Sequence, residues 1–544
     1  MNLKELNNFL IAPHFKLEDA RTVARLISPG AYLASLDLKD AYYLVPVDPS
    51  HWKFLRFQFL GKLYEFTCLP FGLCTAPFTF TKLLKPVMHI LQSEGFFSVV
   101  YLDDFLLVGK SILDCERNVA FTCKLLAALG FLFSERKCHF PPTRQCQYLG
   151  LLFDSARFSV EIPQKRRLAV LKLVKKFCKL KVCSIRSFAR FLGSLGACCP
   201  ALPYAWVYTK KFEREKVLAL DRSGGDYDAL MTIPSCTEDF DWWKSNLVSG
   251  WKSLHPVSFQ MEIFSDASLT GWGASCGEQV SHGFWTGGDL DLHINVLELK
   301  AALLALKAFA RVSAGSHVLL RVDNTTAISY INKMGGILSP TLNQAARELW
   351  QWCESRRISV FASYIPSAEN WRADRESRRI NPDTELELSE LAFLRVCHRF
   401  GRPSIDLFAS QSNFKCPTYF SWFPDPDAAG VDAFTFCWTG TFFYAFPPFS
   451  LILRVLQKID CDGAEGILIV PLWTTQSWFP LFLSMLVEEP VHLFIDEIIF
   501  YSSQQRTQHL PSLVAGRVSS WHSGTRRSQN QLGQSAWRQH NSLR

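Results

Sequence analysis

Phe97-Ser98-Val99-Val100-Tyr101-Leu102-Asp103-Asp104-Phe105-Leu106-Leu107-Val108 is an apolar run broken at its centre by two adjacent acids. Each half has the length and the aromatic or β-branched content of a strand. The stretch therefore reads as a β-hairpin with Asp103 and Asp104 at its tip. Neighbouring carboxylates in an apolar hairpin are costly unless a cation neutralises them. Mg²⁺, which takes hard oxygen ligands, suits that task. A third acid, Asp37, closes another short apolar strand, Tyr32–Leu36. An Asp at a strand end is commonly a turn residue or a helix cap, so the three acids gain meaning only together.

Outward from this hairpin, residues 1–155 alternate short apolar runs such as Phe54–Phe59 with turn signals. Helix-like pieces lie between them, among them Cys115–Leu129, closed by Gly130. This is a mixed α/β pattern. Residues 164–180 read as an amphipathic helix. Leu168, Leu171, Val174 and Cys178 form its apolar stripe, and Lys172, Lys175, Lys176 and Lys179 face elsewhere. Gly224-Gly225 marks a loop or linker. A second α/β unit spans about 260–380, with strands at Met261–Ser265, Val280–Trp285 and Val318–Val322 and a helix at Val296–Arg311. A third unit starts near Ile405. The tail from about 516 is rich in Ser, Gln and Arg and is expected to be disordered.

The 544 residues suggest three or four domains, and 48% hydrophobic with 20% charged residues exclude general disorder. Seventeen scattered cysteines, with no Cys-x-x-Cys pair, argue against a disulfide framework or zinc ribbon and for a reducing intracellular compartment, cytoplasm or nucleus. Polar residues follow Met1, so no secretory signal is expected. The net charge of +8 is unevenly spread: residues 156–190 hold eleven Lys/Arg and one acid, and residues 517–544 hold five Arg and none. One basic segment on a neutral-to-acidic body fits a nucleic-acid track. Ala433–Leu453 and Gly466–Val487 carry no charge and are long enough to span a bilayer. Their prolines and polar residues instead suggest buried strands and loops, and no membrane partner is expected.

Five motifs in order resemble a reverse transcriptase. Leu36-Asp37-Leu38-Lys39-Asp40-Ala41-Tyr42 is similar to the first catalytic motif of the palm. Leu69-Pro70-Phe71-Gly72-Leu73 with Ala76-Pro77-Phe78 resembles the motif that lines nucleotide and template. Tyr101-Leu102-Asp103-Asp104 matches the Tyr/Phe-x-Asp-Asp box. Leu129-Gly130-Phe131 with Lys137-Cys138 resembles the following motif, and Tyr148-Leu149-Gly150 the primer grip. The resemblance implies in-line attack of a primer 3′-hydroxyl on a deoxynucleoside triphosphate, with two Mg²⁺ ions (Mn²⁺ as a substitute) at Asp37 and Asp103. Asp104 supports the set. It also implies substrate contacts at Tyr42, Phe71, Gly72 and Lys137. Tyr42 would lie under the sugar and crowd out a 2′-hydroxyl. Lys172, Lys175, Lys176 and Lys179 would hold template–primer phosphates as a thumb. Basic fingers residues belong upstream of the first motif in this family. With about 35 residues before Asp37, primer extension by the chain as written is expected to be weak.

In the second unit, Asp266, Glu298, Asp323 and Asp374 occur in that order. Gly271-Trp272-Gly273-Ala274 and Ala373-Asp374 with Ser377-Arg378 accompany them. Acids at helix starts commonly complement the macrodipole. As a set these resemble the ribonuclease H domain of retroelements. The resemblance implies two Mg²⁺ ions on the four acids and cleavage of RNA in an RNA–DNA hybrid. Ser367 stands near the place of the loop His of cellular type 1 enzymes. In the third unit, Asp406-Leu407-Phe408-Ala409-Ser410, Asn413, Cys416-Pro417 and Tyr444-Ala445-Phe446-Pro447-Pro448-Phe449 resemble the extra region of DIRS-type retrotransposons and a phage-type adenine-N6 methyltransferase. Phe446 stands where that box needs a hydrogen-bond acceptor, which implies a decayed module.

The resulting expectation is a multidomain α/β chain. An α+β palm with truncated fingers occupies 1–155, a thumb and connection 156–255, a ribonuclease H-like α/β domain 256–380, a methyltransferase-like α/β module 381–515, and a disordered basic tail 516–544. Its partners would be RNA template, DNA primer, RNA–DNA hybrid and deoxynucleoside triphosphates. The rival expectation is a truncated or domesticated copy that binds nucleic acid and retains at most the nuclease.

Overall fold

Tyr32–Lys39 forms β1, a near-continuous run buried along most of its length, as a strand covered on both faces is. The structure, a computed structural model, describes residues 3–255, 258–285, 287–311, 313–379, 386–411, 413–493, 498–500 and 512–520. Ala76–Ser93 is α1, and Phe97–Tyr101 (β2) and Asp104–Gly109 (β3) make the expected hairpin. Its two-residue turn holds Leu102 at φ +55°, a left-handed conformation common in tight hairpins. Ile112–Ala128 is α2, its first turn capped by the Ser111 hydroxyl. Leu132–Phe133 (β4) and His139–Thr143 (β5) pair with β1, so β1 is central in an antiparallel sheet ordered β2-β3-β1-β4. Phe80 and Leu84 of α1 and Leu126 of α2 share one apolar cluster with Leu36, Phe105 and Leu107. That cluster fixes the sheet face opposite the acids and so aims the strand ends.

Gln145–Tyr148 (β6), Leu151–Asp154 (β7), Ser159–Glu161 (β8) and Trp251–Ser253 (β9) form a second sheet ordered β9-β8-β7-β6. Between β8 and β9 the chain is helical: Gln164–Phe177 (α3), Ile185–Gly196 (α4), Lys210–Arg222 (α5) and Thr237–Asn246 (α6). The amphipathic helix forms, but its buried face is Val170, Val174 and Phe177, and Leu168 is 60% exposed. Phe177 stacks on Phe191 of α4 with ring centroids 4.4 Å apart. This aromatic anchor turns the helix away from the expected stripe. Lys172, Lys175, Lys176 and Lys179 are all exposed.

The chain divides into two compact units, Met1–Val257 and Ser258–Arg544. The second begins with Met261–Ala267 (β10), Gly271–Cys276 (β11) and Gln279–Phe284 (β12), followed by helix Ile294–Phe309 (α7). The helix starts two residues before the expected Val296, because the His293 side chain caps it at Asn295. Glu298 therefore lies in the second turn. His317–Val322 (β13), Thr325–Asn332 (α8), Pro340–Arg356 (α9), Ser359–Tyr364 (β14) and Trp371–Ser377 (α10) follow. The sheet runs β12-β11-β10-β13-β14, antiparallel on the β12 side and parallel from β10 to β14. Helix α10 lies directly on β11. A Cβ at Gly273 would run into the Ala373 carbonyl and the Ser377 amide, and one at Gly271 would sit 2.5 Å from the Gly283 carbonyl. Gly273 is thus what lets this helix seat, and Gly271 what lets β12 approach β11.

A short strand, Leu386–Leu388, paired antiparallel with Ile498–Phe500, and helix Glu390–Phe400 (α11) open the remaining module, so its packed core begins before Ile405. The strands of its main sheet are Ile405–Asp406 (β15), Thr418–Ser421 (β16), Gly430–Val431 (β17), Phe442–Ala445 (β18), Glu465–Pro471 (β19), Val491–Leu493 (β20) and Leu513–Ser519 (β21), with helices Ile452–Asp462 (α12) and Phe479–Met485 (α13). The sheet order is β17-β16-β15-β18-β19-β21-β20. The first five strands are parallel, and β21 is antiparallel to both neighbours. Residues 516–519, expected in a disordered tail, belong to this internal strand, where Val514, Ala515 and Val518 are fully buried. The remainder of that tail, 521–544, lies outside the described residues. The two charge-free stretches become short strands, turns and helix α13. No helix among the described residues is long and apolar enough to cross a membrane. All seventeen cysteines are free thiols.

Candidate active sites

Strand pairing builds the first site. Asp37 and Asp104 are cross-strand partners in the β1–β3 ladder, and the Leu38 amide donates to the Asp103 carbonyl (2.9 Å). Register alone thus gathers three carboxylates that lie 67 residues apart in sequence at most. Burial pushes Asp103 upward. Burial, with the charge of Asp103 and the carboxyl of Asp37 beside it, pushes Asp104 up to about 6. Among the described residues Lys137 answers them: its Nζ donates to both oxygens of Asp37, at 3.0 and 3.2 Å. The Cys138 thiol brackets the Asp37 backbone, accepting from its amide at 3.3 Å. The Tyr148 hydroxyl donates to the Asp104 carbonyl (3.0 Å) and so ties the Tyr148-Leu149-Gly150 turn to the acid hairpin. Tyr42 is buried between Phe71 and Phe80, with ring centroids at 4.9 and 5.1 Å, while Phe71 is half exposed. Gly72 takes φ +94° and its carbonyl accepts from Asn7 Nδ2.

Residues 1–153 match the family described as reverse transcriptase (RNA-dependent DNA polymerase). This segment is a reverse transcriptase domain of the retroelement and retroviral polyprotein type. The chain is similar to the enzymatic polyprotein of Figwort mosaic virus (strain DxS), 23% identical over 402 residues, covering 70% of this chain and 55% of that protein. It is also similar to the retrovirus-related Pol polyprotein from transposon opus of Drosophila melanogaster, 24% identical over 193 residues, covering 36% and 18%. The chain thus spans little more than half, or less, of the length of these relatives. Among solved structures, the foamy viral protease-reverse transcriptase in complex with RNA/DNA hybrid aligns over 66% of this chain and 48% of its own, at 14% identity and a TM-score of 0.40. Within the reverse transcriptase domain, the ion pair of Lys137 with Asp37 is the feature the sequence did not announce. Lys137 reads there as a substrate contact, whereas in the structure its ammonium rests on an acid.

The second site is built from strand ends and one helix. Asp266 sits near the end of β10, Glu298 on α7 and Asp323 just past β13. Carboxylate oxygens of these three all lie within 4.8 Å of one another. Asp374, the fourth expected member, does not join them. It is held by Arg378, whose Nη2 and Nε donate to Oδ1 at 2.8 and 2.9 Å, an i,i+4 pairing on α10. Two hydroxyls hold the triad: Ser377 Oγ donates to Asp266 (2.6 Å) and Ser367 Oγ to Asp323 (2.6 Å). Burial pushes Asp266 up to about 6, with Asp323 and Asp374 adding to it. Burial, then the charges of Asp266 and Asp323, push Glu298 up to about 9. Glu298 Oε2 is buried without a hydrogen-bond partner. An orphaned acceptor among three clustered carboxylates is the environment a divalent cation would satisfy, and the oxygen-only donor set suits Mg²⁺ or Mn²⁺.

In the third module, Asp406 ends β15 and Phe446-Pro447-Pro448 follows β18. The strand order reverses between these two strands, where open α/β sheets place their ligands. Asp406 is fully buried and accepts from the Phe408 and Lys415 amides (3.3 and 3.1 Å), and burial lifts it to about 7. A cavity of about 460 Å³ opens there, lined by Phe408, Asn413, Trp422, Phe446, Pro447 and, from β12, His282. Phe446 is nearly buried and offers that cavity no acceptor.

Proposed function

We propose that the chain is an RNA-directed DNA polymerase with ribonuclease H activity, from a retrotransposon of the DIRS type. The observation that carries this reading is the Asp37–Asp104 pairing beside Asp103, inside the segment that matches the reverse transcriptase family. Asp37 and Asp103 would hold two Mg²⁺ ions and Asp104 would support them. Bound there, Mg²⁺ supplies charge stabilisation for the attacking and leaving oxygens of phosphoryl transfer. The protein's own share is positioning. Tyr42, braced by Phe71 and Phe80, would present its ring to the sugar of a deoxynucleoside triphosphate. The exposed Lys172, Lys175, Lys176 and Lys179 would track phosphates of RNA template and DNA primer, a contact that weakens with salt.

The triad Asp266, Glu298 and Asp323 supports the nuclease reading, with Ser377 and Ser367 orienting two of its members. Asp374 would contribute after release from Arg378. An RNA–DNA hybrid is the substrate class this reading names. The third module is read as a decayed methyltransferase-like fold, and no adenine methylation is expected of it because Phe446 cannot accept from the target amine. The test is primer extension on an RNA template and cleavage of a labelled hybrid, each with Mg²⁺ and with chelator. Both activities should require the metal. Extension that persists in Asp37→Asn would sink the first assignment. Hybrid binding without either reaction would instead favour a nucleic-acid-binding copy.

A further inference from the structure

The nuclease-like sheet and the module after it share a seam, part of which reaches the end of α10. Ser281 of β12 is fully buried, and its hydroxyl donates to the Pro424 carbonyl (2.6 Å). Arg311 donates to the Ala428 carbonyl, and Lys307 pairs with Asp427 at 3.5 Å. The Arg379 guanidinium lies over the Phe423 ring, 5.9 Å from its centroid, and the His282 ring faces Phe423 as well. Arg379 and His282 both reach Glu376, at 3.2 and 3.5 Å, and Arg375 reaches it at 3.0 Å. Glu376 is 5% exposed, so this carboxylate is buried only because cations and an imidazole surround it. The next residue is Ser377, whose hydroxyl holds Asp266. Ser268 Oγ in turn donates to the Ser377 carbonyl at 2.6 Å.

We propose that the third module is part of the support of the nuclease-like acid cluster: Phe423 and Pro424 clamp β12 and the end of α10, and this keeps the Ser377 hydroxyl on Asp266. Phe423, Arg379, Glu376 and Ser377 are then positioning residues. The link from Phe423 to the acids runs through Arg379, the Glu376 ion cluster and the adjacent Ser377. The module's retention is explained by this role whether or not its own cavity binds anything. The proposal rests on reading Asp266, Glu298 and Asp323 as a metal-holding set.

The experiment measures Mn²⁺ binding by calorimetry on the full chain, with Asp37→Asn and Asp104→Asn present to silence the other acid site. Partners that orient a ligating carboxylate are typically worth roughly ten- to a hundredfold in metal affinity, and Ser377→Ala should fall in that range. Ser377→Thr keeps the hydroxyl and should restore binding to within about threefold, the conservative rescue that a role in orienting the ligand requires. Phe423→Ala and Arg379→Ala should each weaken Mn²⁺ by roughly three- to tenfold, a part of the same loss. Their hybrid cleavage should need more Mn²⁺ for half-maximal rate and reach a near-normal rate at saturation. Phe423 is 43% exposed, so its truncation removes little core; if it nonetheless lowers thermal stability, Arg379→Ala decides. Binding by both variants within about twofold of the parent, with Ser377→Ala impaired, would overturn the coupling. Unchanged Mn²⁺ binding in Asp266→Asn would overturn the metal-site reading beneath it.

Discussion

The two acid clusters of this chain solve one electrostatic problem in opposite ways. In the reverse transcriptase domain, Asp37, Asp103 and Asp104 meet at the hairpin mouth, and an exposed cation, Lys137, neutralises part of their charge. In the second unit, Asp266 and Asp323 at strand ends meet Glu298 on α7, hydroxyls partner the two aspartates, and burial and repulsion push Glu298 toward its protonated form. In the first cluster Asp104, lifted to about 6, is mostly ionised near neutrality. The second keeps a proton on Glu298 up to about 9. The lesson is that burial, more than the number of acids, decides whether a site waits for metal as a charge or as an acid.

The comparison breaks most visibly if the sites are not independent. Asp266→Asn should cut hybrid cleavage at least about a hundredfold, on the scale of losing one preorganised charge-stabilising group, and leave primer extension intact. Asp104→Asn should do the reverse. Both assays on both variants settle it, and a single substitution that abolishes both reactions refutes the two-site account. Next in size is Gly273→Ala. Its new methyl meets backbone of α10, so overpacking should cost about 1–3 kcal/mol in the second unit, read as a lowered thermal transition.

Proton release sharpens the contrast. Metal displaces protons from ligands. At about pH 7.5, Mn²⁺ binding to the second cluster should release about one proton from Glu298, whereas Asp104 of the first cluster is already ionised and should release almost none. Calorimetry in two buffers of different ionisation enthalpy measures both numbers. Equal release at the two sites contradicts the contrast. The smallest effect is expected from Lys137→Ala. Its ammonium is exposed, so removing this competitor should tighten Mn²⁺ at the first cluster by only about two- to fivefold.

Much of this was legible in the primary structure, for physical reasons that differ by element. The hairpin at Tyr101–Asp104 was readable because strand length, apolar content and a two-residue break are local signals. Asp266, Glu298 and Asp323 were readable as a set through order and motif. Their partners were not. Ser377 reaches Asp266 across 111 residues, and Lys137 reaches Asp37 across 100. Helical periodicity also misjudged α3, where one aromatic stack outweighed the averaged stripe and left Leu168 in solvent. That an arginine one helical turn on holds Asp374 was not announced by order or motif either. The strand at 513–519 was hidden by the polar composition that follows it.

That strand carries a consequence for how the protein is made. Leu513–Ser519 is among the last segments of its module to leave the ribosome, yet it lies between Glu465–Pro471 and Val491–Leu493. Until it arrives, both neighbours present unpaired backbone on an apolar sheet, the kind of edge that recruits other chains. Nascent chains halted before residue 513 should therefore be the aggregation-prone species, and holdase chaperones should engage this module late in synthesis and release it once the strand is inserted.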